Sequence, residues 1–399
     1  MDDSFINQQR AGIEYLNPIF QSRIKSQPLP AKYYSLKNKR ILVTGAAGFI
    51  GGYLLRRLSE YGLDVTGSVL RPEEAGEMEA LDFKSVVLDL ADDGDWDSLL
   101  EGFDIVFNIA AMFQEVEFGE MLYDKVNHQG ALKLAQTANR VGVKRFIHCS
   151  TVGVHGSVKE IPATENSPYN PMDLYHRTKL AGELAILNFA KGLPENGMII
   201  TVNRPAMVYG PGDVRMLKFF KAILSGRFRM IGSGNILAHL GYIEDQTESF
   251  LLCAVTAREK IHGEAFNIAS GEPVTLNYFA RTIADYAGVK LSGLHIPVAP
   301  VWLTALFFEI ICKPLKIRPP LFRRRIGFFT HNRAFDLRKA KKHLGYESAW
   351  NLEDGIRETI KWYKKFNLVH IKSNQANDNY EKQSLNSSLE DSFKVERLK

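Results

Sequence analysis

The chain of 399 residues is poor in cysteine, with only Cys149, Cys253 and Cys312, spread far apart. An odd, scattered set offers neither a disulfide framework nor a zinc spacing, so no metal is expected and a reducing cytoplasm is the expected compartment. The sequence has no uninterrupted apolar run of about 18 residues, which argues against a membrane-spanning helix. Its first thirty residues contain acids and no apolar stretch of the kind a secretory leader needs. Excess charge is small: 50 Lys and Arg against 45 Asp and Glu leave a net charge of +5. No basic run is interleaved with stacking aromatics, so nucleic acid is not an expected partner. The composition, 45% hydrophobic and 24% charged, is that of an ordinary soluble enzyme of one large domain or two modest ones.

Regular patterning begins near residue 39. Residues 1–38 lack clear periodicity, contain Pro18, Pro28 and Pro30, and are read as an extension before the fold. Short apolar strands then recur at Arg40–Thr44, Val65–Leu70, Ser85–Leu88, Ile105–Ile109 and Phe146–Cys149, with helical spacing from Phe49 to Glu60 and between several of the others. Such alternation predicts an α/β, Rossmann-type doubly wound parallel sheet. Residues 39–205 are expected to form mainly the dinucleotide-binding domain. Residues 206–367, less regular and rich in Gly and Pro turns, are expected to form a smaller substrate-binding lobe. The polar tail 368–399 is expected to be disordered.

Gly45-Ala-Ala-Gly48-Phe49-Ile50-Gly51 follows the first strand and opens the first helix. Glycines there permit a tight turn and bring backbone N–H groups against a pyrophosphate at the helix N-terminus. NAD sites usually place an acid at the end of the second strand, for the ribose 2′-hydroxyl. This strand runs from Asp64 to Leu70 and ends on Arg71, with no carboxylate at its C-terminal end. The expected cofactor is therefore NADP in preference to NAD, with Arg71 meeting the 2′-phosphate.

Tyr175-His-Arg-Thr-Lys179 places a phenol and an ammonium four residues apart, on one face of a helix. The same pattern at Tyr33-Tyr-Ser-Leu-Lys37 reads as an exposed surface pair. Around Tyr175 stand further motifs: Leu88-Asp89-Leu90, Asn108-Ile-Ala110-Ala111, Ser150-Thr-Val-Gly-Val-His-Gly156, Asn203-Arg-Pro205-Ala-Met-Val-Tyr-Gly-Pro-Gly212 and Phe266-Asn-Ile-Ala-Ser-Gly271. In that order they resemble the extended short-chain dehydrogenase/reductase superfamily, also called the NAD-dependent epimerase/dehydratase family, over residues 39 to 365.

The resemblance implies that Tyr175 is the general acid/base and that Lys179 supports it and holds the nicotinamide ribose. It implies that Thr151 polarises the substrate oxygen, with His155 where the family usually has tyrosine, and that Asn127 stands near the catalytic group. Asp89 and Leu90 would face the adenine, and Ala110, Ala111 and Pro205 would line the cofactor. A free phenol holds its proton too tightly for rapid exchange at neutral pH, so a neighbouring cation is chemically apt.

Two substrate classes fit the resemblance. Nucleotide-sugar epimerases and dehydratases commonly clamp a diphosphate with an arginine in a Gly-x-Gly-x-x-x-Arg segment; here that position is Ala238, with His239 and Arg215 as candidates to compensate. The other class is a net oxidoreductase for a steroid- or isoprenoid-like alcohol, resembling the 3β-hydroxysteroid dehydrogenase branch. Residues 297–325 favour it: an apolar stretch broken only by Glu309 precedes six basic residues without an acid. That stretch reads either as a lid over the pocket or as a peripheral contact with anionic lipid. The family also implies a homodimer. A non-catalytic cofactor sensor is disfavoured, because the Tyr/Lys pair is intact.

Overall fold

The computed structural model describes residues 24–113, 120–312, 320–321 and 323–369. Most of the N-terminal extension, most of the basic segment 313–322 and the tail from 370 lie outside the described residues.

Seven strands form one parallel sheet: β1 Arg40–Val43, β2 Asp64–Val69, β3 Lys84–Val87, β4 Ile105–Asn108, β5 Arg145–Cys149, β6 Ile199–Pro205 and β7 Glu264–Ile268. Their spatial order is β3-β2-β1-β4-β5-β6-β7. Strand order reverses between β1 and β4, and the crevice at their carboxyl ends is where such sheets bind ligands.

Both faces of the sheet are buried, which is why its strands read as continuous apolar runs. Ile41, Val43 and Phe107 face one core with helix α1 (Phe49–Glu60). Leu42, Val106 and Phe146 face another with helices α2 (Ala131–Arg140) and α3 (Leu174–Lys191). Each fully buried Leu, Ile or Phe contributes roughly 1.5–3 kcal/mol. Helix α4 (Ile243–Val255) adds Phe250 and Leu251 to the α1 side. Residues beyond β6 supply a second core of Tyr209, Phe220, Tyr242, Phe279, Ile360 and Tyr363.

The short helical turn Ala31–Leu36 packs into the fold, contrary to the exposed pair expected at Tyr33 and Lys37. Tyr33 and Leu36 are buried in the α1-side core, and the Tyr33 hydroxyl donates to Glu248 at 2.5 Å. Bulk and an aromatic ring placed Tyr33 inside; spacing to Lys37 was incidental.

A buried ion pair ties α3 to the sheet. Arg204, on β6, gives its Nε to both carboxylate oxygens of Glu183 at 3.1 Å, its Nη1 to the Glu165 carbonyl at 3.1 Å, and its Nη2 to the Tyr169 hydroxyl at 2.9 Å. Removing one partner strands a buried charge, at a cost of about 3–5 kcal/mol. Glu183→Ala should therefore lower the unfolding free energy by about that amount in urea titrations, whereas a loss under about 1 kcal/mol would mean the pair is dispensable.

Candidate active site

The glycine loop between β1 and α1 is shaped by near contacts. Gly45 has φ +64°, and a Cβ there would stand 2.8 Å from the Ala110 Cα. A Cβ on Gly51 would stand 2.3 Å from the Gly45 carbonyl oxygen. No other residue fits, so the loop stays thin and Phe49 and Ile50 open the helix with free N-terminal backbone donors. Thr44 pins the neighbouring loop: its Oγ1 accepts from Ile109 N and Ala110 N, each at 3.0 Å, and donates to Asn108 Oδ1 at 3.0 Å. The Asn108 amide then donates to His148 Nδ1 at 3.1 Å, leaving the imidazole proton on Nε2. Burial holds His148 well below the usual histidine range, with Lys179 pushing the same way.

Helix α3 carries Tyr175 in its first turn and Lys179 one turn later. Asp173 caps it, accepting from His176 N at 2.8 Å. Close backbone approach seats the helix: a Cβ on Gly182 would lie 2.1 Å from the Asn127 carbonyl oxygen. Tyr175 meets Phe113 edge to face at 4.9 Å between ring centres. Lys179 is buried, and its ammonium makes no hydrogen bond among the described residues. Burial lowers its pKa, partly countered by Cys149 and Glu183. A buried donor of this kind needs an acceptor that the described residues do not supply.

Thr151 sits in the loop after β5. Its Oγ1 accepts from Gly153 N at 3.0 Å, which leaves the hydroxyl proton for a ligand oxygen. Gly153 in turn makes room for His176, since a Cβ there would meet that ring at 2.1 Å. Burial pushes the Cys149 thiol up to about 11 and Cys253 to about 12, so neither is a thiolate nucleophile at neutral pH.

Asn127 lies in a π-helical turn, Lys125–Gly130, before α2. Its Oδ1 accepts from Met112 N at 2.8 Å, and its Nδ2 donates to Met112 O at 2.9 Å and Thr178 Oγ1 at 3.1 Å. Both amide hydrogens are spent, so the side chain ties the loop after β4 to α3 beside Lys179. Asp89 is half-buried, its carboxylate accepting from Ala91 N at 2.8 Å, and Leu90 is buried. Ala110 is half-buried, Ala111 is exposed, and Pro205 is buried at the end of β6.

Sequence reading missed a carboxylate at the end of β2. The helix Pro72–Glu79 folds Glu74 back so that its Oε2 accepts from Leu70 N at 3.0 Å and Arg71 N at 3.3 Å. Its Oε1 takes the Arg71 Nε at 3.0 Å and Nη2 at 2.6 Å. Arg71-Pro-Glu-Glu74 does hold the signal, with proline opening a helix and glutamate three residues after the cap. Ala238 is buried in a short strand, and both ring nitrogens of His239 are used: Nδ1 accepts from Phe335 N at 3.2 Å and Nε2 donates to Gly271 O at 3.0 Å. His239 therefore does not stand in for the missing arginine.

A glycine cradle at a strand-order reversal, with Thr151 after β5 and Tyr175 and Lys179 on α3, is what an enzyme of nicotinamide-dinucleotide chemistry needs. The model of the NAD dependent epimerase/dehydratase family matches residues 41–269, and the chain belongs to that family. It is 28% identical to a 3-beta-hydroxysteroid dehydrogenase of Mycolicibacterium neoaurum, across 81% of this chain and 91% of that one. Identity is 30% with a 3beta-hydroxysteroid-dehydrogenase/decarboxylase of Arabidopsis thaliana, across 80% and 78%. It is 26% with an N-acetyl-alpha-D-glucosaminyl-diphospho-ditrans,octacis-undecaprenol 4-epimerase of Escherichia coli O157:H7, across 84% and 97%. The fold is shared with a Bacillus cereus UDP-glucuronic acid 4-epimerase in complex with NAD, at TM-score 0.65 and 23% identity over 82% of this chain and 99% of that one.

Removing the Tyr175 phenol should stop proton transfer and leave dinucleotide binding nearly intact. Tyr175→Phe should lower kcat by ~10²–10⁴-fold, the range such groups contribute, with NAD(H) affinity within about twofold of wild type. Lys179→Met should lose both activity and affinity. A Tyr175→Phe enzyme retaining more than about a tenth of wild-type kcat would remove the phenol from the proton-transfer step.

Proposed function

We propose that the protein is an NAD(P)-dependent oxidoreductase that transfers hydride to or from a hydroxyl or keto group of a hydrophobic, steroid- or isoprenoid-like substrate. In this reading Tyr175 exchanges the proton of the reacting oxygen, Thr151 donates a hydrogen bond to that oxygen, and Lys179 holds the ribose while favouring the phenolate. Asn127 acts as a positioning residue through Met112 and Thr178. The bound nicotinamide supplies or accepts the hydride; binding, orientation and proton transfer belong to the chain. Gly45, Gly48 and Gly51, with the Phe49 and Ile50 backbone, would hold the pyrophosphate, and Asp89, Leu90, Ala110, Ala111 and Pro205 would flank the rest.

The observation that carries the substrate class is helix α5 (Val298–Cys312), which leaves several large apolar side chains exposed. Leu303, Phe307 and Ile310 are 59%, 58% and 63% exposed, which speaks against a wholly buried lid. Arg323, from helix α6 (Arg323–Thr330), lies over Trp302 at 5.5 Å while its Nε donates to Glu309 Oε2 at 2.7 Å, and Arg325 of the same helix is exposed. Apolar side chains rimmed by guanidinium groups suit the surface of an anionic membrane, from which a lipid-like substrate would be drawn. No described helix is long and apolar enough to cross a membrane. A homodimer through α3 and the neighbouring helix Glu120–Asp124 is proposed from the exposed Met121 and Leu184.

NADP(H) is the proposed preference. Glu74 is occupied with backbone donors and the Arg71 guanidinium, so it is not available to a ribose diol, while Arg71 keeps further N–H groups for a phosphate. A sugar epimerase of the nucleotide-sugar type is the second reading, supported by the bacterial relative named as a 4-epimerase. Ala238 and His239 weigh against it.

A screen that follows NADPH absorbance with hydroxysteroids and ketone lipids, and sugar products directly with UDP-sugars, tests the proposal. Turnover of the lipids is expected, and Arg71→Ala should weaken NADP(H) about 10- to 100-fold with little effect on NAD(H). Epimerisation of a UDP-sugar with no lipid turnover would overturn the first reading. Vesicles test the surface: the protein should sediment with anionic lipid at 0.1 M salt and release at 1 M, as the screening length falls from ~10 Å to ~3 Å. The Phe307→Ser, Ile310→Ser double variant should lose this binding, and wild-type protein that ignores vesicles at low salt would refute a membrane role for α5.

A further inference from the structure

His176 follows Tyr175 directly, and the roles above leave its side chain unused. Its ring is half-buried against the helical turn Val152–His155, in a notch that Gly153 makes. A Cβ on Gly153 would stand 2.1 Å from the His176 Cδ2 and 2.2 Å from its Nε2. Ordinary carbon contacts lie at ~3.5–4.0 Å, so even a methyl at that position would have to displace the ring by about 1 Å or more. The ring has a neighbour on either side. Its Nδ1 lies 3.0 Å from Asp173 Oδ1, out of line for a hydrogen bond, and the Tyr175 ring centre is 5.3 Å away. Asp173 Oδ1 is itself fixed, accepting from His176 N at 2.8 Å in the cap of α3.

The same glycine aims Thr151. Its N–H donates to Thr151 Oγ1 at 3.0 Å, with Thr151 as the cap residue of the turn Val152–His155. His176 is therefore a spacer between two elements: its backbone continues from Tyr175 in the first turn of α3, and its ring bears on the residue that orients the Thr151 hydroxyl. We propose that His176 is a positioning residue, whose ring sets the separation between the Thr151 hydroxyl and the Tyr175 phenol. This rests on the roles given above to Thr151 and Tyr175. It holds for a lipid or a sugar substrate alike, because either needs the two groups to converge on one oxygen. The contact is steric, and its leverage is large: a misplacement of about 1 Å in a reacting constellation can cost about 100-fold in rate.

The test is a double-mutant cycle, read by kcat on whichever hydroxysteroid, ketone lipid or UDP-sugar the enzyme turns over and by the Kd for NADPH. Gly153→Ala should lower kcat by about 10- to 100-fold while NADPH affinity stays within about twofold of wild type, the mark of a misplaced pair. His176→Ala alone should lose about 10-fold, the separation being no longer set. The Gly153→Ala, His176→Ala double variant should lie within about threefold of His176→Ala, because the added methyl then meets no ring. Amide hydrogen exchange needs no substrate: the amide of residue 153 should exchange about 10-fold faster in Gly153→Ala and return to the His176→Ala rate in the double variant. If none of the compounds turns over, exchange alone decides. Wild-type behaviour of either single variant, or losses that simply multiply in the double variant, overturns the proposal. So does a Gly153→Ala loss that falls equally on NADPH affinity, which would mark a contact with the cofactor. Full activity of Thr151→Val and Tyr175→Phe would instead sink the roles on which the spacing depends, whereas loss in both with a multiplicative cycle sinks the His176 role alone.

Discussion

Everything the site does depends on how closely α3 can lie against the turn that carries Asn127. Gly182 sets that distance, because a Cβ would stand 2.1 Å from the Asn127 carbonyl oxygen. Gly130 has the same role in the next layer, where a Cβ would stand 2.1 Å from the Leu90 carbonyl oxygen. These contacts fix the height of Tyr175 and Lys179 above the sheet. The Asn127 amide and the Arg204–Glu183 pair then prevent the helix from sliding. Positioning by backbone contact is stiff, since interiors are close-packed and an added methyl has nowhere to go.

A second constraint is electrostatic. Lys179 is buried with no acceptor of its own among the described residues, so its ammonium is most comfortable when a ligand oxygen reaches it. In the role proposed for Lys179, stability and cofactor affinity are linked: a group that is costly in the free chain becomes an asset in the complex. Of the groups that act on it, Glu183 is held by Arg204, and two others carry no charge. His148 is held neutral, and Cys149 stays a thiol.

The parallel sheet and the glycine cradle were legible because each depends on local pattern. Runs such as Ile41-Leu-Val43 read as strands buried on both faces, and Gly45 and Gly51 were the only residues that fit their contacts. What escaped reading depends on who meets whom in space. The return of Glu74 onto the end of β2 puts a carboxylate, already occupied by Arg71, where the strand end showed none, although its helix-opening pattern was visible. Tyr33 looked like a surface residue by analogy of spacing and is buried because its ring finds the α1-side core. No local pattern joins the His176 ring to Gly153. Only the fold brings them together.

The hydrogen-bond chain from Thr44 through Asn108 to His148 has a consequence for the enzyme's working range. Each member has its donor and acceptor assigned by the next, and the far end is anchored in backbone N–H groups that cannot titrate. The ends of β1, β4 and β5 that this chain joins are thus electrically silent across the physiological span, although they contain an imidazole.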